Sequence, residues 1–121
     1  MIDSILIADD NPSIRSLLVR LIRRTTPRAQ VMDVGTGQAA LEIWQQQQPH
    51  LIILDYGLPD INGCQVLHQL KEKCQSLYVI IITGDPEVEQ EALAEGANEV
   101  WLKPMDVPTM LQQLGKLLPT L

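Results

Sequence analysis

The sequence predicts an α/β fold in which a parallel five-stranded sheet is covered by helices on both faces, a three-layer sandwich. Three features lead there. Five short apolar runs rich in Ile and Val recur along the chain, and segments of helical periodicity separate them. The central runs are apolar at consecutive positions, as strands buried on both faces must be. Capping side chains followed by proline mark where helices begin. Five βα units in a row give the sandwich.

The first strand is expected at Ile5–Ala8. Asn11-Pro12 then opens a helix whose stripe is Ile14, Leu17, Leu18, Leu21 and Ile22. The second strand is expected at Gln30–Val34, and its helix carries Ala39, Ala40, Ile43 and Trp44 before ending in the glutamines at 45–48. The third strand is Leu51–Leu54, with Val66, Leu67 and Leu70 striping the helix beyond. The fourth is Tyr78–Ile82; Asp85-Pro86 starts the next helix and Gly96 marks its stop. The fifth is Glu99–Leu102, and Asp106-Val107-Pro108 opens a last helix striped by Val107, Met110, Leu111, Leu114 and Leu118. With no longer repeat, low-complexity tract or linker, residues 1–121 read as a single domain.

Bulk properties exclude several classes of function. A chain of 121 residues can bury a real core without staples. Its net charge of −6 argues against a reader of duplex DNA, which needs a basic surface, and predicts no direct nucleic-acid contact. The arginines Arg15, Arg20, Arg23 and Arg24 share the first helix and read as a solvated face. With two Trp, two Tyr and no Phe, a stacking platform for single strands is not expected either. Cys64 and Cys74 sit ten residues apart on one expected helix, about 15 Å, beyond disulfide reach. Both read as buried thiols of a reducing compartment. No basic leader precedes an apolar segment and no apolar run reaches membrane-spanning length, so a cytoplasmic protein is expected.

The polar residues that follow the strands carry the functional signal. The first strand runs into Asp9-Asp10, the third into Asp55, the fourth into Thr83 and the fifth into Lys103. Open parallel sheets bind ligands at the carboxyl ends of their strands. Singly, each residue has an ordinary explanation: a cap, a turn acid, a loop hydroxyl, a solvated end charge. Jointly, three acids, one hydroxyl and one ammonium converge on one edge. Clustered carboxylates repel unless a cation neutralises them. An all-oxygen set suits Mg²⁺ (or Mn²⁺), which keeps waters and accepts a phosphate oxygen. His50 falls at the opposite end of the third strand and His68 on the third helix, so neither joins the cluster. With a phosphoryl group present, Thr83 and Lys103 would bind its oxygens and one carboxylate, best Asp55, would attack in line.

As they stand, "ILIADDN", "LIILDYGLPDING", "VIIITG" and "WLKP" resemble the receiver domain of two-component response regulators, in the family's order and over essentially the whole chain. The resemblance implies a flavodoxin-like (βα)5 fold with strand order 2-1-3-4-5, the order that general fold rules give for chemotaxis regulators. It implies that Asp55 accepts phosphate from a partner kinase's histidine. Asp10 would be a direct Mg²⁺ ligand, Asp9 an acid acting mainly through water, and the Gly57 carbonyl a further ligand. Thr83 and Lys103 would bind the phosphoryl group, and the bond before Pro104 would be cis. Gly57 and Asp85 occupy positions where the family tunes dephosphorylation. Val100 stands where the family usually carries Tyr or Phe, and Trp101 beside it points to the other sheet face. The expected partners are a sensor histidine kinase or phosphotransfer protein, with a possible homodimer through the face made by the fourth helix, fifth strand and fifth helix. The chain stops after that helix, as a single-domain regulator or a receiver cut from a longer protein would.

One enzyme, one flavin-binding module and one inert form compete with this reading. A haloacid-dehalogenase-type enzyme needs a second acid two residues after its nucleophile, where this chain has Gly57. A flavin module needs Ser, Thr or Gly donors in its first loop, where "DDNPS" presents two acids. A degenerate receiver used only as an interaction module would lack acceptor residues that are present here. The expected activity is phosphoacceptance with self-dephosphorylation, without turnover of a small substrate.

Overall fold

The computed structural model describes residues 3–118. The elements alternate: β1 (Ser4–Ala8), α1 (Pro12–Thr25), β2 (Gln30–Val34), α2 (Gly37–Gln47), β3 (Leu51–Asp55), α3 (Gly63–Lys73), β4 (Tyr78–Thr83), α4 (Pro86–Ala94), β5 (Glu99–Leu102) and α5 (Val107–Leu117). All pairings are parallel, in the order β2-β1-β3-β4-β5. The three-layer sandwich and its strand order are as expected.

Strand parity divides the core in two. Leu6, Ala8, Ile52, Leu54, Val79 and Ile81 face one side, against Ala40 and Trp44 of α2, Leu67 and Leu70 of α3, and Val88 and Ala92 of α4. Ile5, Ile7, Leu51, Ile53, Ile80 and Ile82 face the other, against Leu18 and Ile22 of α1 and Leu114 of α5. Side chains alternate along a strand, so each inner strand feeds both layers. Every residue of β3 is buried, which makes it the central strand in packing as well as in order. The edge strands β2 and β5 are only partly covered, and their sequences carry polar residues to match.

The caps form as expected. Asn11, Asp85 and Asp106 each accept backbone N–H groups ahead of a proline-bearing first turn. Gly96 takes φ +106 directly after α4, a conformation that glycine alone adopts without strain. Asn62 and Gln65 add a reciprocal capping box at α3.

Two expectations need correction. Arg15 does not belong to a solvated face: its guanidinium donates to the Asp9 carbonyl at 2.7 Å and to the Asp33 carboxylate at 3.0 Å, tying α1 to β1 and β2. Its position one turn into α1 puts it beside the carboxyl ends of those strands, out of the register of Arg20, Arg23 and Arg24. Cys74 is only partly buried and caps the end of α3 in extended conformation, because the helix stops at Lys73; Cys64 is buried, and both thiols are free.

The packing of α4 is light, since only Val88 and Ala92 of its residues are buried. His68 supplements it from α3. Its Nδ1 lies 2.9 Å from the Glu95 carboxylate, just past α4, and its Nε2 lies 3.3 Å from Glu72. Carboxylates at both ring nitrogens favour the imidazolium, so the hydrogen bond to Glu95, aided by the charge of Glu72, raises the His68 pKa above the usual 6.5. A raised folded pKa means this tie is fully present below the ordinary histidine value and is lost as pH rises through the elevated one. An NMR titration should place the His68 midpoint above 6.5 in the native protein, and Glu95→Gln should lower it. A native midpoint at the ordinary value would contradict the two-carboxylate geometry.

Candidate functional site

Each strand of the inner sheet ends on or just before a polar side chain because the apolar run stops where the core stops. Asp9 follows β1 and its N–H continues the ladder to the Val34 carbonyl at 3.1 Å. Asp55 is the last residue of β3, paired with Ile82, and Thr83 is the last of β4. These three are the buried polar residues of the described chain, with Asp9 2%, Asp55 5% and Thr83 4% exposed. Lys103 leaves β5, its N–H bonded to the Thr83 carbonyl at 2.8 Å. Its ammonium lies 3.3 Å from Asp55 Oδ1, so the ion pair spans β3 and β5 over the end of β4. The Lys103–Pro104 peptide is cis.

Asp9, Asp10 and Asp55 can each place a carboxylate oxygen within 4.8 Å of the others, and they are the one such cluster among the described residues. Asp10 is exposed and the other two are buried. Asp9 Oδ1 accepts the Asn11 N–H at 2.8 Å, whereas Asp9 Oδ2 is buried with no hydrogen-bond partner, alone among described side-chain atoms in this. Burial, then the charges of Asp55 and Asp10, raises the Asp9 pKa against the lowering effects of the Asn11 N–H and Lys103. An orphaned, desolvated carboxylate oxygen beside two more acids is what a hard divalent cation satisfies. The donor set therefore fits Mg²⁺ or Mn²⁺.

In front of the carboxylates lies an open cavity of about 460 Å³, bordered by Asp10, Asp55, Gly57, Thr83, Asp85 and Lys103, with Tyr56 and Gly84 completing the wall. Thr83 Oγ1 accepts the Asp85 N–H at 3.1 Å, leaving its own hydroxyl hydrogen to donate. Val100 is half-buried in the layer of α2, α3 and α4, whereas Trp101 is buried in the opposite layer. All the strand-end residues picked from sequence therefore meet at one edge, and both histidines lie away from it. Sequence reasoning passed over Asp60, whose carboxylate accepts the Gly37 N–H at 2.8 Å and the Gln38 N–H at 2.9 Å. Those bonds, Gln38 first, lower its pKa. Gly63 was also missed; a Cβ there would stand 2.8 Å from the Asp55 carbonyl oxygen.

Comparison with known proteins agrees with this fold. The model of the response regulator receiver domain matches residues 5–115. The chain belongs to that family. This receiver domain is 31% identical over 121 residues to sporulation initiation phosphotransferase F of Bacillus subtilis, covering 98% of this chain and 96% of that protein. It is 30% identical to the nitrate/nitrite response regulator protein NarL of Escherichia coli over 92% of this chain, but spans only 52% of NarL. Chemotaxis protein CheY4 of Vibrio cholerae superposes with a TM-score of 0.84 at 25% identity, over 98% of this chain and 100% of that one.

The receiver domain carries a repulsive acid cluster when no cation is bound. A raised Asp9 pKa makes the charged form costly, so stability should fall as pH rises from the ordinary Asp value through the raised one. Asp9→Asn should therefore raise the metal-free melting temperature by a few degrees, the response to about 1 kcal/mol in a domain this small. Saturating Mg²⁺ should narrow or reverse the gap. A metal-free variant that melts below the native protein would refute the repulsion.

Proposed function

We propose that this receiver domain accepts a phosphoryl group on Asp55 from the phosphohistidine of a sensor histidine kinase or phosphotransfer protein. The observation that carries the reading is Asp55 itself: a buried carboxylate at the end of the central strand, 3.3 Å from the Lys103 ammonium and facing an open cavity. An oxygen of Asp55 forms the new bond to phosphorus as the phosphorus–nitrogen bond of the donor breaks and its electron pair returns to the imidazole. Lys103 and the free hydroxyl hydrogen of Thr83 bind the phosphoryl oxygens, where negative charge gathers. Asp10, Asp55 and the Gly57 carbonyl would hold Mg²⁺ or Mn²⁺, with Asp9 acting mainly through water. When bound, the cation neutralises the acids and the incoming phosphoryl charge.

Hydrolysis ends the signal: water attacks phosphorus, the bond to Asp55 breaks, and inorganic phosphate leaves. Gly57 and Asp85 border the cavity through which that water would come. Drawing Thr83 and Lys103 toward the phosphoryl group shifts a two-state equilibrium that reshapes the α4-β5-α5 face. That face then engages a downstream partner, an output domain or a second copy of the chain. A cytoplasmic location follows from the proposed kinase partner, and no described helix is long and apolar enough to cross a membrane.

Acetyl phosphate with Mg²⁺, followed by intact mass measurement, tests this. The native protein should gain one phosphoryl mass, Asp55→Ala should gain none, and chelation should abolish the gain. Lys103→Ala should still take up phosphate while losing phosphorylation-dependent partner binding. A native protein that never gains the mass would leave a receiver fold serving only as an interaction module, and an adduct on Asp55→Ala would misplace the acceptor.

A further inference from the structure

The segment from Tyr56 to Asn62 carries Gly57, which is exposed, yet the segment itself is held at several points. The Tyr56 N–H bonds the Ile82 carbonyl at 2.9 Å, and the Gly63 N–H bonds the Tyr56 carbonyl at 2.9 Å. Leu58 is buried. Ile61 lies so close to Gly37 that a Cβ there would stand 2.5 Å from it. Two side chains add to these holds: Gln65 accepts the Asn62 N–H at 2.9 Å, and Asp60 reaches the first two N–H groups of α2, on the neighbouring βα unit. Its charge is spent on a helix N-terminus, where N–H groups and dipole favour an anion, and it stays outside the cluster of Asp9, Asp10 and Asp55.

We infer that Asp60 is a positioning residue for the cation site: by clamping the β3–α3 loop to the N-terminus of α2, it fixes where the Gly57 carbonyl stands relative to Asp55. This rests on the proposed function, in which that carbonyl is a ligand. The argument is geometric. Gly57 is three residues from the clamp and two from the β3 terminus, and a Cβ on it would lie 3.9 Å from Asp55 Oδ2. An exposed glycine between those points has no side chain of its own to hold it. Carboxylate bonds to two consecutive N–H groups remove that freedom before any ion arrives. Outer partners of this kind set ligand orientation and govern affinity.

A structural role alone would act through α2, so the test needs a variant that weakens the same helix start without touching the loop. Thr36 supplies it, since its hydroxyl accepts the Ala39 N–H at 3.1 Å. Mg²⁺ binding by the unphosphorylated 121-residue chain is measured by calorimetry, and amide exchange at Gly57 and Leu58 is followed without metal. Asp60→Ala should weaken Mg²⁺ binding about tenfold, the lower end for outer-partner loss, and speed exchange at both amides. Asp60→Asn, keeping one acceptor oxygen, should fall between. Thr36→Ala should lower the melting temperature and leave affinity and loop exchange unchanged. Should Asp60→Ala fail to fold, the comparison of Asp60→Asn with Thr36→Ala decides. Native affinity in the Asp60 variants, or an equal loss in Thr36→Ala, would overturn the positioning role. A native chain that binds no Mg²⁺ would overturn the cation site beneath it as well.

Discussion

Charge held at the boundary of a dry core is the constraint on which the rest of this molecule depends. Asp9 and Asp55 are nearly as buried as the isoleucines that precede them, yet Asp9 keeps one carboxylate oxygen without a hydrogen-bond partner, which buried carboxylates ordinarily do not. A Lys ammonium at 3.3 Å offsets Asp55, and one backbone N–H serves Asp9. The remaining repulsion can persist only because the surrounding strands cannot yield. Central strand β3 is buried on both faces, and β1 and β4 flank it in continuous register. The apolar layers thus stabilise a site that is itself destabilising.

How much of this was legible follows from the range of each signal. Strands, helices and caps announce themselves within a few residues, so Asn11-Pro12, Asp85-Pro86 and Gly96 were readable directly. The strand-end residues were legible too, because parallel topology sends every carboxyl end to the same edge. Contacts between distant segments were not. Asp60 in "LPDING" looks like any turn acid, and nothing near it names an α2 terminus 23 residues upstream. Arg15 looked like its helix neighbours because helical spacing does not tell which residue of the first turn meets β1 and β2. Cys74 was placed by assuming the helix continues, whereas α3 ends at Lys73.

The two sheet faces receive unequal side chains from β5. Trp101 fills the α1–α5 layer, where its indole N–H reaches Glu99 at 3.2 Å and Glu99 in turn accepts from Tyr78 at 2.5 Å. The α2–α4 layer receives only Val100 from the same stretch of β5. On that side α4 contributes Val88 and Ala92 as its buried residues.

Thr83 joins the site to that element. Its oxygen accepts the Asp85 N–H, and the Asp85 carboxylate accepts the Glu87 N–H at 2.9 Å, so hydroxyl, cap and first turn of α4 form one chain of bonds. A hydroxyl that accepts from the cap can still donate one hydrogen bond toward the cavity. If that hydrogen turns to a phosphoryl oxygen, the side chain and the cap it holds must move together or separate, and either outcome alters where α4 begins. The proposed signal would run through this chain of bonds rather than through Val100. It needs a rigid strand to deliver the charge, and a lightly packed helix whose first N–H groups are tied to the residue that meets it.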